Sequence, residues 1–246
     1  MPFDLSPGVY AYLAILLVGA AYIRGYSGFG FSAITIAGAA LITNPLPLIP
    51  VVFACEMLMT VFQARGIRGH IDWARVIALW GGAAVVIPFS VLAVLSLDDA
   101  QVRLTVSLIV GVMSLILLSG WTLTRVIKTP GNVAVGMVSG LCNSAGIGGL
   151  PVAAFLTAQP MPAATFRATM IVYLTGLDLI TMPFLWHGGL VTWDTAIGVA
   201  LAFPLLGIGV YLGGRRFGAA SPEGFRTFAI SLLFILASLG LIRTLL

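Results

Sequence analysis

The chain has 246 residues, of which 60% are hydrophobic and only 8% charged, with a formal net charge of +4 and a mean hydropathy of +1.10. A water-soluble domain of this size needs far more polar surface, so the composition excludes that class and defines an all-α polytopic membrane protein. The basic residues lie in short gaps between apolar runs, where they set orientation, and they are no sign of a nucleic-acid partner.

Residues 1–8 carry Asp4 and no Lys or Arg, so they lack the basic start of a cleaved signal sequence. The first apolar run, 9–23, is expected to be retained, with Ser6-Pro7 as its cap and first helical residue. At 1.5 Å per residue it reaches about 22 Å, short of the ~30 Å hydrocarbon core. A glycine-broken stretch follows, Gly25-Tyr26-Ser27-Gly28-Phe29-Gly30-Phe31-Ser32, and then a second short run, 31–42. Longer segments are predicted at 48–63, 76–97 and 104–121.

The second half repeats this order. A short run at 132–141 leads to Asn143-Ser144-Ala145-Gly146-Ile147-Gly148-Gly149-Leu150-Pro151, then come 150–158, 165–186, 193–212 and 225–241. Each break is followed by a Pro-x-Pro, Pro45-Leu46-Pro47 and Pro160-Met161-Pro162. Gly69-His70-Ile71-Asp72-Trp73 corresponds to Gly188-Gly189-Leu190-Val191-Thr192-Trp193, with Asp72 and Thr192 placed as N-caps and both Trp residues suited to an interface. Asp98 to Arg103 likewise corresponds to Ser221 to Arg226, a cap before a helix. The predicted organisation is two membrane repeats, 1–124 and 125–246, each a short-helix hairpin broken by glycine plus three transmembrane helices.

Loop charge orients them. With four crossings per half the basic residues divide six against five. A hairpin that enters and leaves on one side puts Arg65, Arg68, Arg75, Arg125, Lys128, Arg167, Arg215, Arg216 and Arg226 together, against Arg103 and Arg243, with Arg24 inside the hairpin. Nine against two obeys the positive-inside rule, so the repeats are expected to be inverted, with both termini outside.

Glycine costs about 1 kcal/mol in a helix interior. Several together at membrane depth therefore mark either a break lining a cavity or close helix packing. Paired breaks in two halves point to a transporter substrate site. Half-helices beginning at 31 and 150 present free N–H groups suited to an anion and are expected to aim at one midplane point. The candidate substrate-binding set is Arg24, Ser27, Gly28, Phe29, Gly30, Ser32, Asn143, Ser144, Gly146, Ile147, Gly148 and Gly149. Arg24 either neutralises the substrate or snorkels from a helix end. Glu56 and Asp178, at comparable places in the two halves, either carry a coupling proton or form ion pairs with Arg24 or Arg167. Arg167 itself is either a gate residue or a boundary charge. Cys55 and Cys142 are either small buried residues or contacts for a sulfur-containing ligand; both lie in apolar runs, which argues against a disulfide framework.

Arg24-Gly25-Tyr26-Ser27-Gly28-Phe29-Gly30 and Gly146-Ile147-Gly148-Gly149-Leu150-Pro151, with the prolines and basic loops that follow, resemble the TauE/SafE family of sulfite and organosulfonate exporters, also called the four-toluene-sulfonate uptake permease family. Both copies depart from the richer Gly-x-Gly-Gly-Gly form, which leaves the substrate open. The resemblance implies transport of a small sulfur-containing anion, sulfite or a sulfonate such as sulfoacetate; the expected mechanism is secondary transport by alternating access, and the expected location a bacterial inner membrane. The expected partners are that anion, the lipid bilayer and protons as coupling ion, with the protein a monomer or homodimer and no cofactor. An anion channel and a carrier of a non-sulfur carboxylate share these features. An intramembrane enzyme or an assembly factor fits worse, since the chain has neither a His-Glu-x-x-His nor a nucleophile elbow.

Overall fold

The computed structural model describes residues 3, 5–123 and 127–216, and positions 230, 231, 234, 235, 238 and 242. The expected helix at 225–241, its Ser221 cap and the loop position of Arg125 lie largely or wholly outside these residues. Nine helices are described: α1 (Pro7–Ser27), α2 (Phe31–Ala40), α3 (Ile49–Ile67), α4 (Trp73–Leu95), α5 (Asp99–Leu118), α6 (Thr129–Asn143), α7 (Gly149–Thr157), α8 (Ala163–His187) and α9 (Trp193–Arg216). Six segments, α1, Leu46–Ile67, α4, α5, α8 and α9, are long and apolar enough to cross a membrane. In each half an interrupted helix pair is followed by long helices, two of the expected three being described in the second.

The helix ends follow from local chemistry. The Asp72 carboxylate caps α4 by accepting from the Arg75 N–H, and Asp98 and Gln101 form a reciprocal capping box on α5. At α9 the expected cap works in the opposite sense: the Thr195 hydroxyl accepts from the Thr192 N–H at 3.0 Å. Each Pro-x-Pro opens a long helix, Pro45 leading the 3₁₀ turn Leu46–Leu48 that enters α3 and Pro162 standing as N-cap of α8. Trp73 and Trp193 are exposed at the starts of α4 and α9.

The first helix corrects the sequence reading. It is a full-length helix of 21 residues, not a short run ending at 23, because neither Arg24 nor Gly25 interrupts it. Arg24 is neutralised by a partner on α3. Gly25 sits where a Cβ would lie 2.7 Å from the Val210 carbonyl oxygen, so it is a packing glycine. The closest helix pairs are α1 with α9 and α4 with α6, each joining the first helix of one half to the fourth of the other. Both are closed by glycine. A Cβ at Gly213 would fall 2.1 Å from the Tyr22 carbonyl oxygen, and one at Gly136 would fall 2.1 Å from that of Leu79. Small residues at such contacts let backbones approach where lipid provides no hydrophobic drive. Helices α3 and α8 pack on each other between these pairs, and α2 is buried along its whole length.

Candidate functional site

The breaks themselves are real. Gly28 and Gly30 have φ of +83° and +93°, and Gly146 has +77°, a region L side chains avoid. At the first break the Gly28 N–H closes α1 by donating to the Arg24 carbonyl at 2.8 Å. The Ser27 hydroxyl lies 2.8 Å from the Ile23 carbonyl oxygen and 2.9 Å from that of Phe29, which commits it to the turn. Arg167, on the first turns of α8, packs over Gly28 and donates to the Gly25 carbonyl at 2.8 Å. The Phe29 ring stands edge-on to Phe166, centroids 5.8 Å apart.

At the second break Gly146 donates to the Asn143 carbonyl at 2.8 Å. The Gly148 carbonyl accepts from the Ser139 hydroxyl at 2.5 Å, and Tyr173 donates to that hydroxyl at 2.6 Å. The Asn143 amide donates to Thr181 at 2.9 Å. Ser144 donates to the Leu141 carbonyl at 3.0 Å. Ser32, Ile147 and Gly149 are buried, and Gly149 lies against Leu174.

These contacts use α8 as a ruler. The first break touches Arg167 and the second reaches Thr181, positions about 21 Å apart along a helix axis. The end of α6 thus reaches further along α8 than the start of α7, whose first residue, Gly149, lies against Leu174 about 10 Å from the level of Arg167. The hairpins overlap in passing, with Gly146 against Ile36 in the middle of α2.

Between the two levels lies a buried cluster of charges. Arg24 is 0% exposed and donates through Nη1 to Glu56 Oε1 at 3.0 Å and through Nη2 to the Thr60 hydroxyl at 3.2 Å. Thr60 Oγ1 lies 2.7 Å from Thr175 Oγ1 on α8. One turn further along α8, Asp178 is 1% exposed, in the field of Glu56 and Arg24 and beside Asn143. Arg24 is thus a partnered core residue and does not snorkel. Among the described residues no hydrogen-bond partner reaches Arg24 Nε, Glu56 Oε2 or either Asp178 oxygen. Arg167 feels the charge of Arg24 from the α8 start and is half-buried, so it is more than a loop charge. Two carboxylates thus face a single guanidinium at this level, in a medium where unpaired charge is costly.

Sequence reasoning missed Thr60, Thr175, Thr181, Ser139 and Tyr173. A signal was present: polar residues recur at helical spacing inside apolar runs, as Glu56-Thr60-Gln63 and Thr175-Asp178-Thr181. Cys55 and Cys142 are both free and buried. Among the described residues no three His, Cys, Asp or Glu side chains gather into a metal site.

Six long apolar helices, with two interrupted helix pairs around an embedded charge cluster, are those of an integral membrane protein. The family described as Sulfite exporter TauE/SafE matches residues 12–239; the chain belongs to it, and the family implies transport of sulfite- or sulfonate-type anions. Searches of curated proteins and of solved structures returned no match.

A Cβ at Gly148 would lie 2.6 Å from Asn143 Oδ1 and 2.8 Å from the Ser139 carbonyl oxygen. Gly148→Leu is expected to cost about 1–3 kcal/mol by overpacking and to abolish anion transport while the protein still reaches the membrane. Parallel measurement of membrane-fraction protein and sulfite flux checks this, and wild-type flux would remove the second break from the site.

Proposed function

We propose that the protein is a secondary transporter of a small sulfur oxyanion, sulfite or an organosulfonate such as sulfoacetate, with Arg24 as the group that receives it. The observation that carries this is the fully buried Arg24, one guanidinium shared between α1 and α3 with two carboxylates nearby. A guanidinium fork suits an oxyanion. The anion competes with Glu56 for that fork, and docks when a carboxylate gives way. A proton taken up by Glu56 or Asp178 supplies that release and balances the added charge, which couples anion and proton movement.

The two halves act as inverted repeats around this centre, with both termini outside a bacterial inner membrane. The reciprocal packing of α1 with α9 and α4 with α6 supports a two-fold relation between the halves. Alternating access follows as the hairpins stay with the anion and the outer helices rock. The Trp80 indole donates to the Tyr173 carbonyl at 2.9 Å with its ring against Gly176, and it serves as a plug between α4 and α8.

Melting of the purified protein with sulfite, sulfate, thiosulfate, sulfoacetate, taurine and simple carboxylates tests this. A ligand at 100 times its Kd stabilises by about 2.7 kcal/mol. The expected result is a shift with sulfite or a sulfonate. A shift with carboxylates alone would replace the sulfur substrate by a carboxylate.

A further inference from the structure

A cavity of about 660 Å³ opens beside the first break, between α3, α8 and α9. Its walls carry Gln63 and Gly66 from α3, Arg167 from α8, and Gly207, Tyr211 and Arg215 from α9. Gln63 is 6% exposed, and among the described residues neither atom of its amide finds a hydrogen-bond partner. A buried amide left without partners in the wall of an open cavity marks a place for something to bind. Arg215 stands over the Tyr211 ring, 5.5 Å from its centroid, and Arg167 holds the Gly25 carbonyl one residue from Arg24. Two guanidinium groups thus line one cavity, mostly apolar over its surface, with Gln63, its amide buried, in the same wall. Along α3, Gln63 is about 10 Å from Glu56, and Thr60, the Arg24 partner, lies between them.

We propose that this cavity is a capture site for a small oxyanion, held by Arg167, Arg215 and the Gln63 amide one step before Arg24. It rests on the transport reading for its purpose but not for its test. Two guanidiniums at the rim of a low-dielectric cleft focus the field and concentrate anions there.

The test uses the full chain in detergent with Cys55→Ala and Cys142→Ala, which removes its 2 cysteines, and Gly66→Cys as reporter. An added Cβ at Gly66 meets nothing within 4 Å. Labelling rates are measured with an anionic sulfonatoethyl and a cationic trimethylammonioethyl methanethiosulfonate, each normalised to its rate with free cysteine. The expected result is a normalised preference of about tenfold for the anionic reagent, reduced toward parity by Arg215→Gln and Gln63→Leu, with sulfoacetate slowing the reaction. Equal normalised rates, a preference for the cation, or no slowing by sulfoacetate would overturn the proposal. Gly207→Cys, equally open, replaces the reporter if Gly66→Cys does not fold. Neither readout needs flux, so a protein that labels as expected but carries no sulfonate keeps the capture site and loses the transport reading.

Discussion

Arg24→Leu alone is expected to destabilise the protein by about 3–5 kcal/mol, the cost of leaving one member of a buried pair uncompensated. The Glu56 carboxylate would remain at 1% exposure with its guanidinium gone, and little folded protein should survive extraction. Arg24→Leu combined with Glu56→Leu removes both charges of the pair and leaves Asp178, the remaining carboxylate, to take up a proton; apolar residues of similar bulk often replace a buried pair at no net cost. The double variant is therefore expected to melt near the wild type and to transport no sulfite. Melting curves of the single and double variants, read beside their flux in proteoliposomes, separate the two roles. A double variant that melts normally and still transports would make the pair a purely structural device.

Asp178→Asn gives the second large effect. Asp178 lies beside Glu56 and Asn143 with neither oxygen within hydrogen-bond distance of a described partner, so an amide of the same shape keeps the packing and removes the like charge that faces Glu56. The variant is expected to melt at or above the wild-type temperature. If Asp178 carries the coupling proton, sulfite accumulation driven by a pH gradient should fall by about 5–150-fold, the range of ordinary coupling free energies. Exchange of sulfite across a membrane with no pH gradient should persist, because it needs no net proton movement. Equal loss of both activities would place Asp178 in anion binding instead, and no loss of either would leave it a bystander.

Much of this was legible in the residues. The repeat order, the long helices and the breaks at Gly28, Gly30 and Gly146 followed from apolar run length and from glycines clustered at membrane depth. Gly25 was misread because a glycine that admits a neighbouring backbone and one that turns the chain look alike in a sequence. The length of α1 was misjudged for a related reason: Arg24 was placed at the end of a short helix, neutralising the substrate or snorkelling, and only the position of Glu56 on α3 makes it an interior residue. The levels of α8 that the two breaks reach, Gly28 at Arg167 and Asn143 at Thr181, are set by tertiary packing that the residues alone do not carry. Thr60 and Thr175 went unnoticed because threonine in an apolar helix ordinarily bonds its own backbone, as both do, to Glu56 and Ile171. Their approach across α3 and α8 is a tertiary fact.

The most direct measurement is initial-rate uptake of sulfite and sulfoacetate into proteoliposomes holding the purified wild-type chain, with and without an inward proton gradient. Saturable uptake of one of these anions, faster with the gradient and blocked by an excess of the same anion, is the expected result. Liposomes that take up neither anion above the protein-free background, while the protein remains folded by its melting curve, would contradict the assignment of Arg24 as a sulfur-oxyanion site.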